Sequence, residues 1–232
     1  MTEPESSIEA TATPASHREV GEWLHFLLPD VDPLPWPDGC WVGHVKTRSA
    51  EHHPPLYWLG RALDAVGAAG KTEHLSERLL AAHGPEACNG YGDEDERAQD
   101  VLTEACAFAW AREHLGTVEP GGGGESPTWL RVASADAYVM PRRLRPVRTM
   151  EQLFAQVAEV MEQGARGLPP AALRIVYLDI PLNLRMWSQD LGYAAPITEP
   201  LQTAVHHYGA EWGVGYVLTR PFQWNAPLEA WF

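Results

Sequence analysis

The sequence predicts an α+β protein, with a helical N-terminal half followed by a small mixed β-sheet with packed helices. Apolar residues recur at helical spacing through residues 16–116, which indicates amphipathic helices. After a run of four glycines, short apolar segments typical of strands alternate with further helical patterns. The chain has 232 residues, 45% of them hydrophobic, so it can bury a substantial core.

The first half contains signals for four helices and one strand. A capping-box pattern at Ser16 predicts the start of the first helix. Residues 40–46 alternate between apolar and polar types and predict a strand. The next helix is expected to begin at Pro54–Pro55, and the one after it to end near Gly84. A second capping pattern at Asp93 predicts the last helix of this half.

The second half alternates strand and helix signals. Two short strands are expected to pair around the turn Ala135–Asp136, and a capping box at Thr149 predicts a helix after them. A continuous apolar run bounded by prolines predicts the strongest strand, and residues 201–208 predict the last helix. The predicted strands cover residues 128–134, 137–141, 173–180 and 214–219.

The glycine run also suggests how the chain is organised. Four consecutive glycines lose too much conformational freedom to lie inside a helix or strand. Two subdomains joined by a linker fit this pattern, and so does a single domain with a long hairpin loop. The predicted parts are a disordered acidic tail (1–15), a mainly helical acidic subdomain (16–116), a glycine-rich linker or loop (117–128) and an α/β subdomain (129–232).

Charge is distributed unevenly along the chain. The formal net charge is −14, and residues 1–116 carry 20 acidic against 8 basic residues. Residues 117–232 carry 11 against 9. Phosphates would repel such a surface, so the composition argues against nonspecific binding to nucleic acid. A basic protein partner is the expectation instead, because asymmetric acidity accelerates its capture.

The sequence predicts a bacterial, cytoplasmic protein without a cofactor. The three cysteines do not form a CxxC pair and are expected to be reduced thiols. No apolar run approaches the roughly 20 residues of a membrane span, and the acidic N-terminus does not resemble a secretory signal. We therefore expect no membrane partner.

Two charged clusters are candidates for binding a partner. Four carboxylates begin the predicted helix at Asp93, which suits the helix dipole but exceeds what capping needs. They could instead form a docking surface. Four arginines within seven residues suit phosphates, acidic partners or the acidic half of this chain, and we favour salt bridges over phosphate binding. The two clusters are Asp93, Glu94, Asp95 and Glu96, and Arg142, Arg143, Arg145 and Arg148.

An enzyme with a dispersed site is the alternative. Asp179 ends the strongest predicted strand, where a turn-forming role and a catalytic role both fit. Histidines occur in pairs, and His74 stands three residues before Glu77 on one helical face. No local segment supplies the three ligands of a catalytic zinc, so no metal site is expected. The catalytic candidates are His52, His53, Asp179, His206 and His207.

One short pattern resembles a known family. Arg78 and His83 have the R-x4-H spacing of HEPN-type ribonucleases, helical proteins that cleave RNA at a dimer interface. This resemblance implies a ribonuclease with Arg78 and His83 in its active site. Leu79 departs from the family preference for a polar residue after the arginine, and the acidic surroundings are unfavourable for RNA.

The sequence favours a non-enzymatic protein-binding module, such as an immunity-like inhibitor or an adaptor in a bacterial complex. Strong acidity and ten tryptophans support this hypothesis, because aromatic residues are common interface anchors. The chain also lacks GxSxG, P-loop, GxGxxG and HExxH signatures. The aromatic C-terminal segment 222–232 could anchor a partner or close the core.

Overall fold

The computed structural model describes residues 19–30, 41–46, 54–82, 93–121, 128–145, 147, 149–180, 198–220 and 222–232. Its helices are α1 (Val20–Leu27), α2 (Trp41–Lys46), α3 (Pro54–Ala68), α4 (Thr72–Ala82), α5 (Asp93–His114), α6 (Met150–Gly167) and α7 (Thr198–Trp212). Its strands are β1 (Val118–Gly121), β2 (Trp129–Val132), β3 (Ala137–Arg143), β4 (Leu173–Asp179), β5 (Gly215–Thr219) and β6 (Glu229–Trp231).

The strands form one mixed sheet in the order β1-β2-β3-β4-β5-β6. β3, β4 and β5 are parallel to one another, whereas β1, β2 and β6 pair antiparallel to their neighbours. Helices α6 and α7 lie in the two connections between the parallel strands. The predicted α+β fold with a mixed sheet is therefore confirmed.

Helices cover both faces of the sheet. The core between the sheet and α1–α5 contains Ile175 and Tyr177 of β4, and the core under α6 and α7 contains Val176 and Leu178. Because successive side chains of a strand point to opposite faces, a strand covered on both sides must be apolar throughout. This requirement explains the continuous apolar run that predicted β4.

The structure differs from the prediction in two places. Residues 41–46 form a helix rather than a strand, because Val42 and Val45 lie three positions apart and are both buried in the core. Residues 118–121 of the predicted linker or loop form a strand, which pairs antiparallel with Trp129–Val132. Val118 lies in the core that the sheet shares with the N-terminal helices.

Local signals place several element boundaries correctly. The backbone N–H of Gln152 donates to the Thr149 hydroxyl at 3.2 Å, as the predicted capping box requires. The turn between β2 and β3 falls at the predicted place, with Asp136 in a left-handed conformation (φ 45°). The first helix begins later than expected, with Glu19 as its N-cap, and Ser16 lies outside the described residues. Within the described ranges, no helix has the length and apolar character to cross a membrane.

The contact between α6 and β4 requires a glycine, which gives a first prediction. A Cβ atom added at Gly164 would lie 2.4 Å from Cγ2 of Val176. We expect Gly164→Ala to lower the free energy of unfolding by about 1–3 kcal/mol, because the overpacking outweighs the gain in helix propensity. Urea-induced unfolding followed by circular dichroism measures this change.

The matched control is Gly167→Ala, which introduces the same methyl group at an exposed position of the same helix. We expect this variant to be as stable as the wild type or slightly more stable. Equal stabilities for the two variants would contradict the close packing of α6 against β4.

Candidate functional site

Polar and charged side chains meet at the carboxyl ends of the parallel strands. Arg143 of β3 lies opposite Asp179 of β4, and Asp179 lies opposite Thr219 of β5. Thr103 of α5 reaches the same point from the helical layer. We call these four residues the strand-end cluster. The carboxyl edge of a parallel sheet is where α/β folds often place functional groups.

Asp179 is the centre of the cluster and has no exposed surface. Its carboxylate accepts hydrogen bonds at 3.2 Å from the Thr103 hydroxyl, the Thr219 hydroxyl and the Phe222 backbone N–H. Burial raises the pKa of Asp179 to about 7, against the opposing effects of Arg143 and these donors. The carboxyl group is thus divided between its two protonation states near neutral pH. Its partners among the described residues are distant in sequence, and the segment after Ile180, where a turn was one interpretation, lies outside the described residues.

The positive charges of Arg142 and Arg143, at the end of β3, are only partly neutralised. Burial lowers the pKa of both Arg142 and Arg143. Nη1 of Arg142 donates to the Pro141 carbonyl at 2.9 Å. Nη1 of Arg143 is shielded from solvent and has no hydrogen-bond partner, although the carboxylates of Asp100 and Asp179 act on it electrostatically. A buried guanidinium donor without a partner is uncommon in folded proteins.

Arg145 joins the two halves of the chain. Its Nη1 lies 3.0 Å from Oε2 of Glu96, and its Nη2 donates to Oδ2 of Asp100. This arginine therefore pairs with the chain's own acidic half. Because its guanidinium is more than a third exposed, each pair contributes at most about 1 kcal/mol.

The structure describes only part of the two predicted partner-binding clusters. The backbone of Asp93, Glu94 and Asp95 forms the start of α5, but their side chains lie outside the described residues. Arg148 also lies outside them. Their role in binding a partner stays a prediction.

Glu104, next to Thr103 on α5, forms a partly buried ion pair. Its Oε1 accepts from Nη2 of Arg78 on α4 at 2.6 Å. Burial raises the pKa of Glu104 to about 7, while Arg78 and a hydrogen bond from Thr128 oppose the shift. The adjoining cavity has a volume of about 30 Å³, which has room for about two water molecules and not for a substrate.

The ion pair between Arg78 and Glu104 involves the arginine of the R-x4-H pattern. The arginine of that pattern, Arg78, is bound within the protein, and His83 lies outside the described residues. The structure therefore does not bring the two residues of the HEPN-like motif together at a described site.

The histidine candidates lie apart from Asp179. Nδ1 of His206 on α7 is 3.3 Å from the Tyr216 hydroxyl, which donates to Oε1 of Glu229 at 2.6 Å. Burial and the neighbouring Glu229 raise the pKa of Tyr216. Tyr216 belongs to the core under α6 and α7, whereas Asp179 bonds to α5 on the opposite face of the sheet. His206 and Asp179 therefore cannot act on one substrate in this arrangement.

The remaining candidates do not complete a catalytic site. His207 is exposed, with Nε2 3.9 Å from Oε2 of Glu211, and His74 is exposed on α4. His52 and His53 lie outside the described residues. Throughout the described ranges, no group of three or more His, Cys, Asp or Glu side chains could hold a metal ion.

No family model, curated protein or solved structure matches this chain. The sequence did not indicate Thr103, Thr219 or Glu104 as site residues, because their partners are far away in the chain. Thr103 and Asp179 are separated by 76 positions. The signal that could have found Thr103 and Glu104 was the presence of polar residues within the mostly apolar segment 101–111 of α5.

The Thr103 hydroxyl gives a second prediction. Thr103→Val removes a donor to Oδ2 of Asp179 with little change of shape, leaving only a 3.4 Å contact from the Phe222 N–H to that oxygen. The hydroxyl stabilises the charged carboxylate, so its loss raises the pKa of Asp179 further. We expect the free energy of unfolding to fall by about 1 kcal/mol, and by more at pH 8 than at pH 5. Urea titrations at the two pH values measure the difference.

Thr103→Ser serves as the control because it keeps the hydroxyl and loses only a buried methyl group. Its destabilisation, about 0.8 kcal/mol for one such group, is expected to be equal at the two pH values. If the valine and serine variants show the same pH dependence, the hydroxyl does not support the charged form of Asp179.

Proposed function

We propose that this protein is a non-enzymatic binding module, an inhibitor or adaptor that presents an acidic surface of its helical layer to a basic protein partner. One observation carries the proposal: carboxylates of this layer face solvent, whereas two of its basic groups, Lys46 and Arg78, are engaged inside the protein. Asymmetric charge of this kind steers the encounter with an oppositely charged partner.

The exposed carboxylates lie on two adjacent helices. The Ser76 hydroxyl of α4 donates to the Leu27 carbonyl of α1 at 3.1 Å, which holds the two helices side by side. Both helices present exposed glutamates on their outer sides. We call this surface the acidic face, and it comprises Glu19, Glu22, Glu73 and Glu77.

Two basic side chains of the same layer are directed inward. Lys46 is buried, and its Nζ donates to the Leu28 carbonyl. Arg78 is half-buried and pairs with Glu104. Arg112, in contrast, is exposed. The positive charges of Lys46 and Arg78 are thus held against internal acceptors. The acidic face is therefore less neutralised by its own layer than the formal charges suggest.

Apolar groups on the same two helices could provide contact area. Phe26 of α1 and Leu80 of α4 are both exposed large hydrophobic residues. Charged residues set the rate and specificity of association, while buried apolar anchors supply much of the binding energy. The proposed surface therefore combines the two kinds of residue that protein interfaces use.

The third prediction tests the acidic face. The tagged protein is used to retain basic proteins from an extract of its native cell at low salt, and the retained partner is then purified for titration calorimetry. The triple variant Glu22→Gln, Glu73→Gln, Glu77→Gln removes three exposed charges from the face. We expect it to bind that partner about tenfold more weakly at low salt, equivalent to ~1.4 kcal/mol.

The control triple variant is Glu151→Gln, Glu159→Gln, Glu199→Gln, which removes three exposed charges from α6 and α7 on the other side of the sheet. We expect its affinity to stay close to that of the wild type. Equal losses in both triple variants would show that net charge, and not this surface, governs binding. Failure to retain any basic protein would contradict the proposed function.

A further inference from the structure

We infer that β6 is a self-association edge, where a second copy of this chain adds its own β6 and continues the sheet across a two-fold axis at Ala230. The inference does not depend on the acidic face or on the strand-end cluster. It rests on the outward direction of the Ala230 backbone, on the exposed aromatic residues beside it and on the register that joins the two strands.

The two edge strands of the sheet differ in how well they resist the addition of another strand. β1 contains Pro120, whose missing N–H removes a donor that an added strand would need. β6 contains no proline, and both Ala230 and Trp231 are exposed. Within the described part of the chain, β6 is the last strand of the sheet. An unprotected edge of this kind is a template for pairing with another chain.

The backbone polar groups of Ala230 point away from the sheet. The Ile180 N–H donates to the Thr219 carbonyl, so the backbone of Thr219 bonds toward β4. These groups alternate in direction along a strand, so those of Leu218 point toward β6. Leu218 lies opposite Glu229, whose backbone therefore faces β5. The next residue, Ala230, directs its N–H and carbonyl outward.

A two-fold axis through Ala230 pairs these outward groups. The Ala230 N–H of each copy then donates to the Ala230 carbonyl of the other, as in a hydrogen-bonded pair of an antiparallel ladder. The small methyl groups at the axis allow the two strands to approach. The same register places Glu229 of one copy opposite Trp231 of the second copy, so like charges do not face each other. The edge is therefore complementary to itself.

Exposed aromatic rings lie on both faces of the sheet beside this edge. Trp231 packs against Tyr216 on the side of α6 and α7, with ring centroids 6.1 Å apart. Phe232 packs against Trp110 of α5 on the opposite side, with centroids 5.9 Å apart. Trp231 is still 42% exposed and Phe232 54% exposed. A second β6 would cover part of each ring, and the apolar area removed from water would contribute binding energy.

The net charge gives this association a distinctive salt dependence. Each copy carries a formal charge of −14, so two copies repel each other. Salt screens this repulsion, and dimerisation is therefore expected to strengthen as the ionic strength rises. Binding of a basic partner to the acidic face is expected to weaken under the same conditions.

The fourth prediction concerns the self-association of the full chain, measured by sedimentation equilibrium over a range of protein and salt concentrations. We expect the wild type to dimerise, and more strongly at high salt. In Ala230→Lys two lysines would face each other across the axis, so we expect dimerisation to weaken by at least about tenfold, although the net negative charge is smaller. The matched control is Ala133→Lys, at an exposed position in the turn between β2 and β3, which is expected to dimerise like the wild type.

Ala230→Glu tests the two-fold register, because it also places like charges opposite each other. We expect this variant alone to be monomeric, and an equimolar mixture of the lysine and glutamate variants to form a heterodimer. Hydrogen exchange by NMR gives a direct readout on the wild type, since protection of the Ala230 amide should rise with protein concentration. A wild type that stays monomeric, a mixture that does not associate, or a dimer with an unprotected Ala230 amide would overturn the inference.

Discussion

The burial of β4 on both faces constrains the chemistry of the whole protein. A strand covered by helices on each side must be apolar where it is buried, and β4 meets this requirement from Ile175 to Leu178. Its last residue is the exception. That residue, Asp179, carries a carboxyl group with no access to solvent. Because an unsatisfied buried carboxylate is costly, the neighbouring elements must supply donors to it. Thr103, Thr219 and the Phe222 backbone meet this need from three different parts of the chain.

The same constraint explains how the two halves of the chain are joined. α5 lies against the sheet, so the residues on its inner side must be apolar or paired. Thr103 and Glu104 are neighbours in α5, and each is paired: one with Asp179 of β4, the other with Arg78 of α4. Nearer its start, the carboxylates of α5 meet Arg145 instead. The uneven charge of the sequence is therefore partly balanced where α5 meets the end of β3, and elsewhere it faces solvent.

The sequence allowed the fold class and most elements to be predicted, because their signals are local. The apolar run of β4 and the capping box at Thr149 specify structure within a few residues. Residues 41–46 were wrongly assigned because a short apolar segment fits a strand or a helix, and only packing against the core decides between them. The strand-end cluster could not be predicted, since its register depends on the pairing of β3, β4 and β5. Asp179 was a candidate residue, but nothing local indicated its partners.

The charges of this protein differ in how far solvent screens them. Glu77 and Arg78 are adjacent on α4, yet one faces solvent and the other pairs with a carboxylate that is mostly buried. Charges in contact with water are screened over about 8 Å at physiological ionic strength, so the acidic face acts on an approaching partner in a salt-dependent way. Asp179 is separated from bulk ions because it is completely buried, so salt affects it little. A property of this protein that responds to salt therefore belongs to its surface, and one that responds to protons but not to salt belongs to the strand-end cluster.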